Sequence, residues 1–183
     1  MTPPVLVACV GNIFKSDDGF GVEVAARLAQ HPLPDGVRVV DFGIRSVHLV
    51  YELLSGYDVL VLVDTVSRQD GRPGSLYVIE PDLPPRDLSG EVPEVVMDAH
   101  DLSPGGAMTL VPVLGGHVDR IVVVGCTPAS LEDGIGLSPE VHAATGPAVG
   151  LVCDVVSREL ARLAVTAVRP PMSRGGDGEC GGS

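Results

Sequence analysis

The stretch Asp58-Val59-Leu60-Val61-Leu62-Val63-Asp64 places five consecutive valine and leucine residues between two aspartates. Alternating apolar and polar residues indicate a strand that is buried on one face, whereas an unbroken apolar run of this length is typical of a strand buried on both faces. Strands of that kind belong to parallel sheets that helices cover on each side. The stretch therefore predicts the central strand of an α/β protein.

Strand and helix patterns alternate on either side of this run. The segments before it are predicted as strand, helix, strand and helix at Val5–Val10, Gly19–His31, Val37–Asp41 and Ser46–Leu54. The segments after it are predicted as an edge strand, a surface excursion, a short helix, a strand and a helix kinked or split at Gly146-Pro147, over residues 75–79, 81–98, 103–114, 120–125 and 138–164. This alternation implies right-handed crossovers and a three-layer α/β sandwich, with a twisted, mostly parallel sheet between helices.

Length and composition favour one domain inside the cell. A chain of 183 residues suits a single core, which we place at residues 1–168, and the Gly-, Pro- and Ser-rich segment 169–183 is predicted as a flexible tail. The apolar runs are far shorter than the roughly 20 residues of a membrane-spanning helix, and the start of the chain lacks a basic export signal. We therefore expect a cytoplasmic protein without a membrane partner.

Charge and cysteine spacing exclude further classes. The net charge is −12 and no Lys/Arg cluster alternates with aromatic residues, so nucleic acid is not expected as a partner. The acidic excess has two interpretations, a well-solvated surface or attraction to a cation or basic partner. The four cysteines lie far apart, which argues against a structural zinc cluster, and Cys9 and Cys126 are predicted as core residues.

Side chains that can bind a metal follow the predicted strands. Asp18 lies in the loop after the first strand, Asp41 and Asp64 close the second and third, and His100 lies on a connection that can return to the same edge. Ligands gather beyond the carboxyl ends of the strands in such sheets. Because two carboxylates and an imidazole suit a divalent metal, we predict a metal site made by Asp18, Asp64 and His100.

Each of these residues also has a structural explanation. Asp17 and Asp18 precede a helix, where one carboxylate can cap free N–H groups, and we assign that cap to Asp17. Asp64 ends a buried strand, where a carboxylate is costly unless it is bound to metal or paired, for example with N–H groups of the next turn. His100 alone is typical of a solvated loop residue. The metal site is therefore predicted from the group of residues and not from any single one.

Common catalytic and nucleotide motifs are absent. The sequence has no phosphate-binding glycine motif after its first strand, no G-x-S-x-G and no H-E-x-x-H. This excludes the usual serine hydrolases and zinc peptidases, while a cysteine nucleophile would need a histidine brought close by the fold. Gly11 directly follows the first strand, where glycine permits a sharp turn with positive φ.

Five stretches, taken in order, resemble one protein family. They are the G-N-x-x-x-x-D-D-G-x-G loop in Val7–Gly21, Val39–Gly43, the strand with Asp64-Thr65-Val66 in Asp58–Ser67, the surroundings of His100, and Val122–Pro139. Over about residues 5–160 the chain resembles the hydrogenase maturation proteases. These endopeptidases trim the C-terminal extension from the large subunit of NiFe hydrogenase once nickel has been inserted.

The resemblance implies roles for the acidic residues. The family's metal-contacting trio falls on Asp18, Asp64 and His100 of this chain. Its further acidic residue falls on Asp41, so Asp18 and Asp41 are the implied catalytic residues. The metal implied is nickel carried by the substrate, or another divalent ion at the same site.

The resemblance also implies a substrate. The expected partner is the precursor of a NiFe hydrogenase large subunit, contacted through Gly11, Asn12 and Gly43, and the chain is expected to act as a monomer. Here the match is looser, because the family commonly shows D-G-G-T where this chain has Asp41-Phe42-Gly43-Ile44. This chain therefore lacks the threonine hydroxyl of that motif, and with it one group that could take part in substrate recognition.

Two mechanisms and two other functions stay open at this point. The metal either acts as a Lewis acid that activates water, or it only marks the substrate while Asp41 or Asp18 serves as general base. The alternative functions are a metal-dependent peptidase of the same fold with another target, and a non-catalytic α/β binding module.

Overall fold

The computed structural model describes residues 3–67, 71–81 and 118–168. Three predicted segments lie outside these ranges, namely nearly all of the excursion at 81–98, the short helix at 103–114 and the tail at 169–183. His100 also lies outside the described residues.

Five strands form one sheet in the described part of the chain. They are β1 (Val5–Val10), β2 (Val37–Gly43), β3 (Tyr57–Thr65), β4 (Leu76–Ile79) and β5 (Val118–Cys126). Their order across the sheet is β2-β1-β3-β5-β4. All neighbouring strands are parallel except β4, which pairs with β5 in antiparallel orientation at the edge. The central position of the valine and leucine run and the edge position of β4 are therefore confirmed.

Helices cover both faces of this sheet. The odd-numbered residues of β1 pack with α1 (Phe20–Leu28) and α3 (Pro139–Val168), and the even-numbered residues pack with α2 (Ser46–Leu53) on the opposite face. All six residues of β1 are buried, as expected for a strand covered on both sides. The predicted three-layer α/β sandwich is confirmed.

The last helix is more continuous than predicted. α3 runs for 30 residues with Pro147 inside it, so of the two predicted outcomes the split is wrong and the kink stays a prediction. A proline inside a helix removes one backbone hydrogen bond and costs about 3 kcal/mol. The buried face nevertheless continues on both sides of the proline through Val141, Ala144, Ala148 and Val152. Burying this apolar face stabilises the helix enough to offset the lost bond.

The first helix begins directly on the ends of two strands. A Cβ atom at Gly21 would lie 2.1 Å from the carbonyl oxygen of Val10 and 2.7 Å from that of Val63, so no other residue fits there. α1 therefore starts against the carboxyl ends of β1 and β3. The short 3-10 helix Ser16–Gly19 that precedes α1 is held over the same edge of the sheet.

A buried carboxylate joins this turn to a loop far away in the sequence. The side chain of Asp17 is fully buried and accepts hydrogen bonds from the backbone N–H groups of Ala129 at 2.8 Å, Ser130 at 3.0 Å and Ser138 at 2.6 Å. The hydroxyl of Ser138 donates a fourth bond at 3.0 Å. We call this arrangement the Asp17 clamp. It replaces the predicted helix cap, since the N-cap of α1 is Gly19 and has no side-chain cap bond.

Backbone hydrogen bonds join the same two loops beside the clamp. The N–H of Ser16 donates to the carbonyl of Gly134 at 2.9 Å, and the N–H of Gly134 donates to the carbonyl of Phe14 at 2.9 Å. The Ser16 hydroxyl donates to the carbonyl of Glu132 at 2.9 Å. Ser16 has a φ of +47°, which is unfavourable for a residue with a side chain. The surrounding bonds hold it in that conformation.

The clamp changes the acidity of Asp17. Burial alone would raise the pKa of this carboxyl, but the N–H groups of Ser138, Ser130 and Ala129 and the Ser138 hydroxyl stabilise the charged form and bring the pKa below its usual value. A folded-state pKa that is lower than the unfolded one contributes stability above the unfolded value. That stability is lost as the pH falls through the folded value.

We predict that Asp17→Asn lowers the free energy of unfolding by about 2–4 kcal/mol at pH 7, because an amide cannot accept all four bonds and loses the charge assistance. Urea denaturation at several pH values measures this. The difference from wild type should shrink as the pH falls below about 4, because the carboxyl of the unfolded chain takes up a proton there before that of the folded protein, whose pKa is lower. Asp133→Asn, at an exposed aspartate of the same loop, is the control and should change little. Equal stability of Asp17→Asn and wild type at pH 7 would contradict the prediction.

Candidate active site

Asp18 is the residue next to the clamp, and its carboxylate is held by two donors. The N–H of Asn12 donates to Oδ2 of Asp18 at 2.9 Å. The hydroxyl of Thr65, the last residue of β3, donates to Oδ1 at 3.3 Å. The first bond joins Asp18 to the loop after β1 and the second joins it to the end of β3. Asp18 therefore lies at the carboxyl edge of the sheet, as predicted.

Asp64 lies at the same edge and is a poorly stabilised carboxylate. Its Oδ1 accepts a hydrogen bond of 2.7 Å from the N–H of Thr65. Burial and, to a smaller extent, the negative charge of Asp18 raise the pKa of Asp64, the bonds from Thr65 lower it, and the net result is a pKa of about 7. The structure thus brings Asp18 and Asp64 close enough for their charges to repel. Such a pair can hold a cation or exchange a proton near neutral pH.

Asp41 lies on the neighbouring strand and is exposed. It does not close β2, because the strand continues to Gly43 after a bulge opposite Cys9 and Val10. Its Oδ1 accepts a hydrogen bond of 2.9 Å from the N–H of Gly43, and its carbonyl accepts one of 3.2 Å from the guanidinium of Arg45.

The predicted substrate-binding residues form a path between Asp41 and Asp18. The carbonyl of Gly43 accepts a bond of 3.0 Å from the N–H of Gly11, and the next N–H, that of Asn12, binds Asp18. The N–H groups of Gly11, Asn12 and Gly43 are thus already used inside the protein. The three residues therefore connect the backbone beside Asp41 to the carboxylate of Asp18, and contact with the substrate stays a prediction.

Gly11 has no tolerance for a side chain. Its φ is +146°, and a Cβ atom there would lie 2.0 Å from the carbonyl oxygen of Asp18. The sharp turn that the sequence predicts after the first strand is therefore present. It allows the following N–H, that of Asn12, to reach the Asp18 carboxylate.

The third member of the predicted metal site is His100, which lies outside the described residues. Within residues 3–67, 71–81 and 118–168, no three His, Cys, Asp or Glu side chains form a group that could hold a metal ion. The described donors still suit one, because carboxylate oxygens bind divalent ions and a cation would offset both the burial of Asp64 and the charge of Asp18, which raise the pKa of Asp64. The complete site stays a prediction.

Two of the cysteines, Cys9 and Cys126, are unsuited to nucleophilic chemistry. Cys9 and Cys126 are fully buried in the core, as predicted. Burial, followed by the charge of Asp41, raises the pKa of Cys9 to about 12. Burial and the charge of Asp17 raise the pKa of Cys126 to about 11. Since the thiolate is the reactive form, these two residues are inert at neutral pH.

Exposed apolar side chains lie on the loops at this edge of the sheet, a feature that the sequence alone does not predict. Three loops at this edge carry Ile13, Phe14, Ile44, Leu131 and Ile135, which we call the apolar rim. Phe14 is 63% exposed and Ile135 is 85% exposed. Two local signals were available, the Ile13-Phe14 pair inside a polar loop and Ile135 between two glycines. Apolar side chains gathered in this way mark a contact surface for another molecule.

Fold and site together define an α/β protein with a pair of carboxylates at the carboxyl edge of its sheet. A family model described as hydrogenase maturation protease matches residues 22–155. The chain belongs to the hydrogenase maturation protease family, as the sequence resemblance predicted, and it is therefore an enzyme, a hydrolase that cuts peptide bonds.

Individual relatives agree with this assignment. The hydrogenase expression/formation protein HupD of Bradyrhizobium diazoefficiens is 30% identical over 155 residues, covering 84% of this chain and 78% of the relative. The hydrogenase 2 maturation protease of Escherichia coli is 28% identical over 146 residues, covering 79% and 85%.

Solved structures agree as well. The hydrogenase maturating endopeptidase HybD from Escherichia coli has a TM-score of 0.68 and 27% identity, covering 85% of this chain and 93% of that one. A hydrogenase 2 maturation peptidase from a Thaumarchaeota archaeon has a TM-score of 0.61 and 33% identity, covering 83% and 97%. In the described part of the chain, no helix has the length and apolarity needed to cross a membrane.

We predict that Asp64→Asn is more stable than wild type by about 1–3 kcal/mol at pH 8. The pKa of Asp64 rises from 3.8 to about 7 on folding, so ionisation costs folding stability increasingly between about pH 4 and 7 and fully above that range. The advantage of the variant should therefore narrow as the pH falls from 7 towards 4.

Urea denaturation across this pH range measures the effect. Asp58→Asn, at the exposed other end of the same strand, is the matched control and should show no comparable pH dependence. A variant Asp64→Asn that is less stable than wild type at pH 8 would contradict the prediction that ionised Asp64 destabilises the fold.

Proposed function

We propose that this enzyme removes the C-terminal extension of a NiFe hydrogenase large subunit after nickel insertion, and that it recognises the nickel that the precursor already carries. The relatives named for hydrogenase maturation support the substrate class. The observation that carries the proposal is the pair Asp18 and Asp64, two carboxylates that both contact Thr65 at one edge of the sheet, where Asp64 is buried and the two charges repel each other. A cation brought by the substrate would remove that repulsion.

In this proposal Asp18, Asp64 and His100 complete the coordination of the substrate's nickel, or of another divalent ion in its place. Carboxylate oxygens and an imidazole nitrogen are suitable ligands for such ions. The precursor would then be bound at this site only when its metal is present. This gives the enzyme a test of whether insertion has taken place before the extension is removed.

We assign the general base to Asp41. Each oxygen of the Asp18 carboxylate already accepts one hydrogen bond, whereas Asp41 is exposed and binds Gly43 through Oδ1. In peptide hydrolysis the base takes a proton from the attacking water as its oxygen bonds to the carbonyl carbon. The proton then passes to the leaving nitrogen as the C–N bond breaks. Asp18 and Asp64 hold the substrate during this step.

The apolar rim fits a polypeptide substrate. Phe14 and Ile135 flank the backbone bonds that join the two loops, so both side chains are presented from fixed backbone. A rigid apolar surface binds with a smaller entropy cost than a mobile one. In this proposal the rim contacts the large subunit precursor, and the enzyme works in the cytoplasm as a monomer.

We predict that Asp18→Asn and His100→Ala fold normally but cut the nickel-loaded precursor at least about 100-fold more slowly. Mass spectrometry of the released peptide measures cleavage, and thermal denaturation followed by circular dichroism measures folding. Asp133→Asn, at an exposed aspartate near the rim, is the control for charge removal.

Three outcomes separate the possibilities. Near wild-type cleavage by both variants would end the assignment of the metal site. Equal cleavage of nickel-free and nickel-loaded precursor by wild type would refute nickel recognition. Failure of wild type to cut either precursor would point to another peptide target.

We predict that the double variant Phe14→Ala, Ile135→Ala raises KM for the precursor about 10-fold or more and leaves kcat within about threefold, because burying a large apolar side chain on binding contributes about 1.5–3 kcal/mol. Steady-state cleavage of nickel-loaded precursor measures both constants. Val165→Ala, at a 73% exposed position near the end of α3, is the control. An unchanged KM would remove the rim from substrate binding.

A further inference from the structure

Thr65 contacts both carboxylates of the candidate site, although no role has yet been assigned to it. Its N–H donates to Oδ1 of Asp64 at 2.7 Å and its hydroxyl donates to Oδ1 of Asp18 at 3.3 Å. We propose that Thr65 is a positioning residue that sets the orientation of Asp18 relative to Asp64, so that both carboxylates face the metal of the substrate together. This inference rests on the proposed function.

The place of Thr65 in the strand explains how one residue reaches both acids. Along β3, the odd-numbered Val61 and Val63 pack with α1 and α3, and the even-numbered Leu60 and Leu62 pack on the opposite face. The side chain of Thr65 continues the odd series and meets Asp18 in the turn before α1. Its backbone N–H meets the carboxylate of the preceding residue, Asp64, which continues the even series.

The two contacts differ in strength. The bond of 2.7 Å to Asp64 comes from the backbone and is short for an N–H donor, so it fixes that oxygen firmly. The bond of 3.3 Å from the hydroxyl to Asp18 is long. Asn12 fixes Oδ2 of Asp18 by one hydrogen bond. Without the Thr65 hydroxyl, the Asp18 carboxylate would keep only that hydrogen bond and its plane would be free to rotate.

A hydroxyl suits this task better than a charged donor. It steers Asp18 while leaving the charge of both carboxylates in place for a metal ion. A lysine or arginine at the same point would pair with the acids and neutralise the site. Replacing a residue that holds a metal ligand in this way typically lowers metal affinity or activity by about 10–100-fold.

The test compares Thr65→Val, which keeps the shape but lacks the hydroxyl, with Thr65→Ser, which keeps the hydroxyl. Thr65→Val should lower kcat/KM for nickel-loaded precursor by about 10–100-fold, and Thr65→Ser should stay within about threefold of wild type. Valine is well tolerated in strands, so the fold should be kept. If Thr65→Val does not fold, Thr65→Ala replaces it, since Ala and Ser differ only by the hydroxyl.

A second measurement does not depend on cleavage. The Kd values of nickel-loaded and nickel-free precursor are measured by fluorescence anisotropy. The Kd for nickel-free precursor divided by the Kd for nickel-loaded precursor should fall about 10-fold or more in Thr65→Val and be unchanged in Thr65→Ser. Equal behaviour of Thr65→Val and wild type, or equal loss in the valine and serine variants, would overturn the role of Thr65. A wild-type enzyme with no preference for nickel-loaded precursor would overturn the proposed nickel recognition instead, and the role of Thr65 with it.

Discussion

The buried carboxylate of Asp17 is the contact on which the geometry of the site depends. Its four donors come from residues 112 to 121 positions further along the chain. Removing a carboxylate from water is costly, and the charge-assisted bonds compensate only when the donors are all in place. The loops 11–19 and 129–138 therefore adopt their conformations together. Asp18 follows Asp17 directly, so the clamp fixes the chain next to Asp18, while the bonds of Ser16 to Gly134 and Glu132 hold the positive φ of Ser16.

The neighbouring acids of this edge have opposite environments. Asp17 has four donors, and its pKa is lowered despite complete burial. Asp64 has Thr65 as its donor and Asp18 as a negative neighbour, and burial raises its pKa to about 7. The first arrangement stabilises the fold, whereas the second costs stability. Residues kept at such a cost to stability are typical of functional sites, where a bound partner compensates a charge that the protein itself leaves poorly compensated.

The sequence predicts the sheet well because its strands are unbroken apolar runs with clear ends, and Val5–Val10 has the predicted bounds. It also separates a structural Asp17 from Asp18 but assigns the wrong partners, because local capping rules do not register donors more than 100 residues away. Pro147 does not split α3 for a related reason, since buried contacts outweigh a local preference. The apolar rim was missed because single exposed apolar residues are common, and only the fold brings these together.

The rim and the carboxylate pair contribute different parts of substrate recognition in the proposed function. Apolar contacts at Phe14 and Ile135 would hold a precursor whether or not it carries nickel, so they supply affinity without discrimination. Discrimination requires an element that penalises the wrong partner. The pair Asp18 and Asp64 is such an element, because closing a metal-free substrate over it either removes water from two like charges or requires Asp64 to take up a proton, and supplies no compensating cation. The unfavourable placement of these two carboxylates in the free enzyme would thus be the physical basis for selecting the metal-loaded precursor.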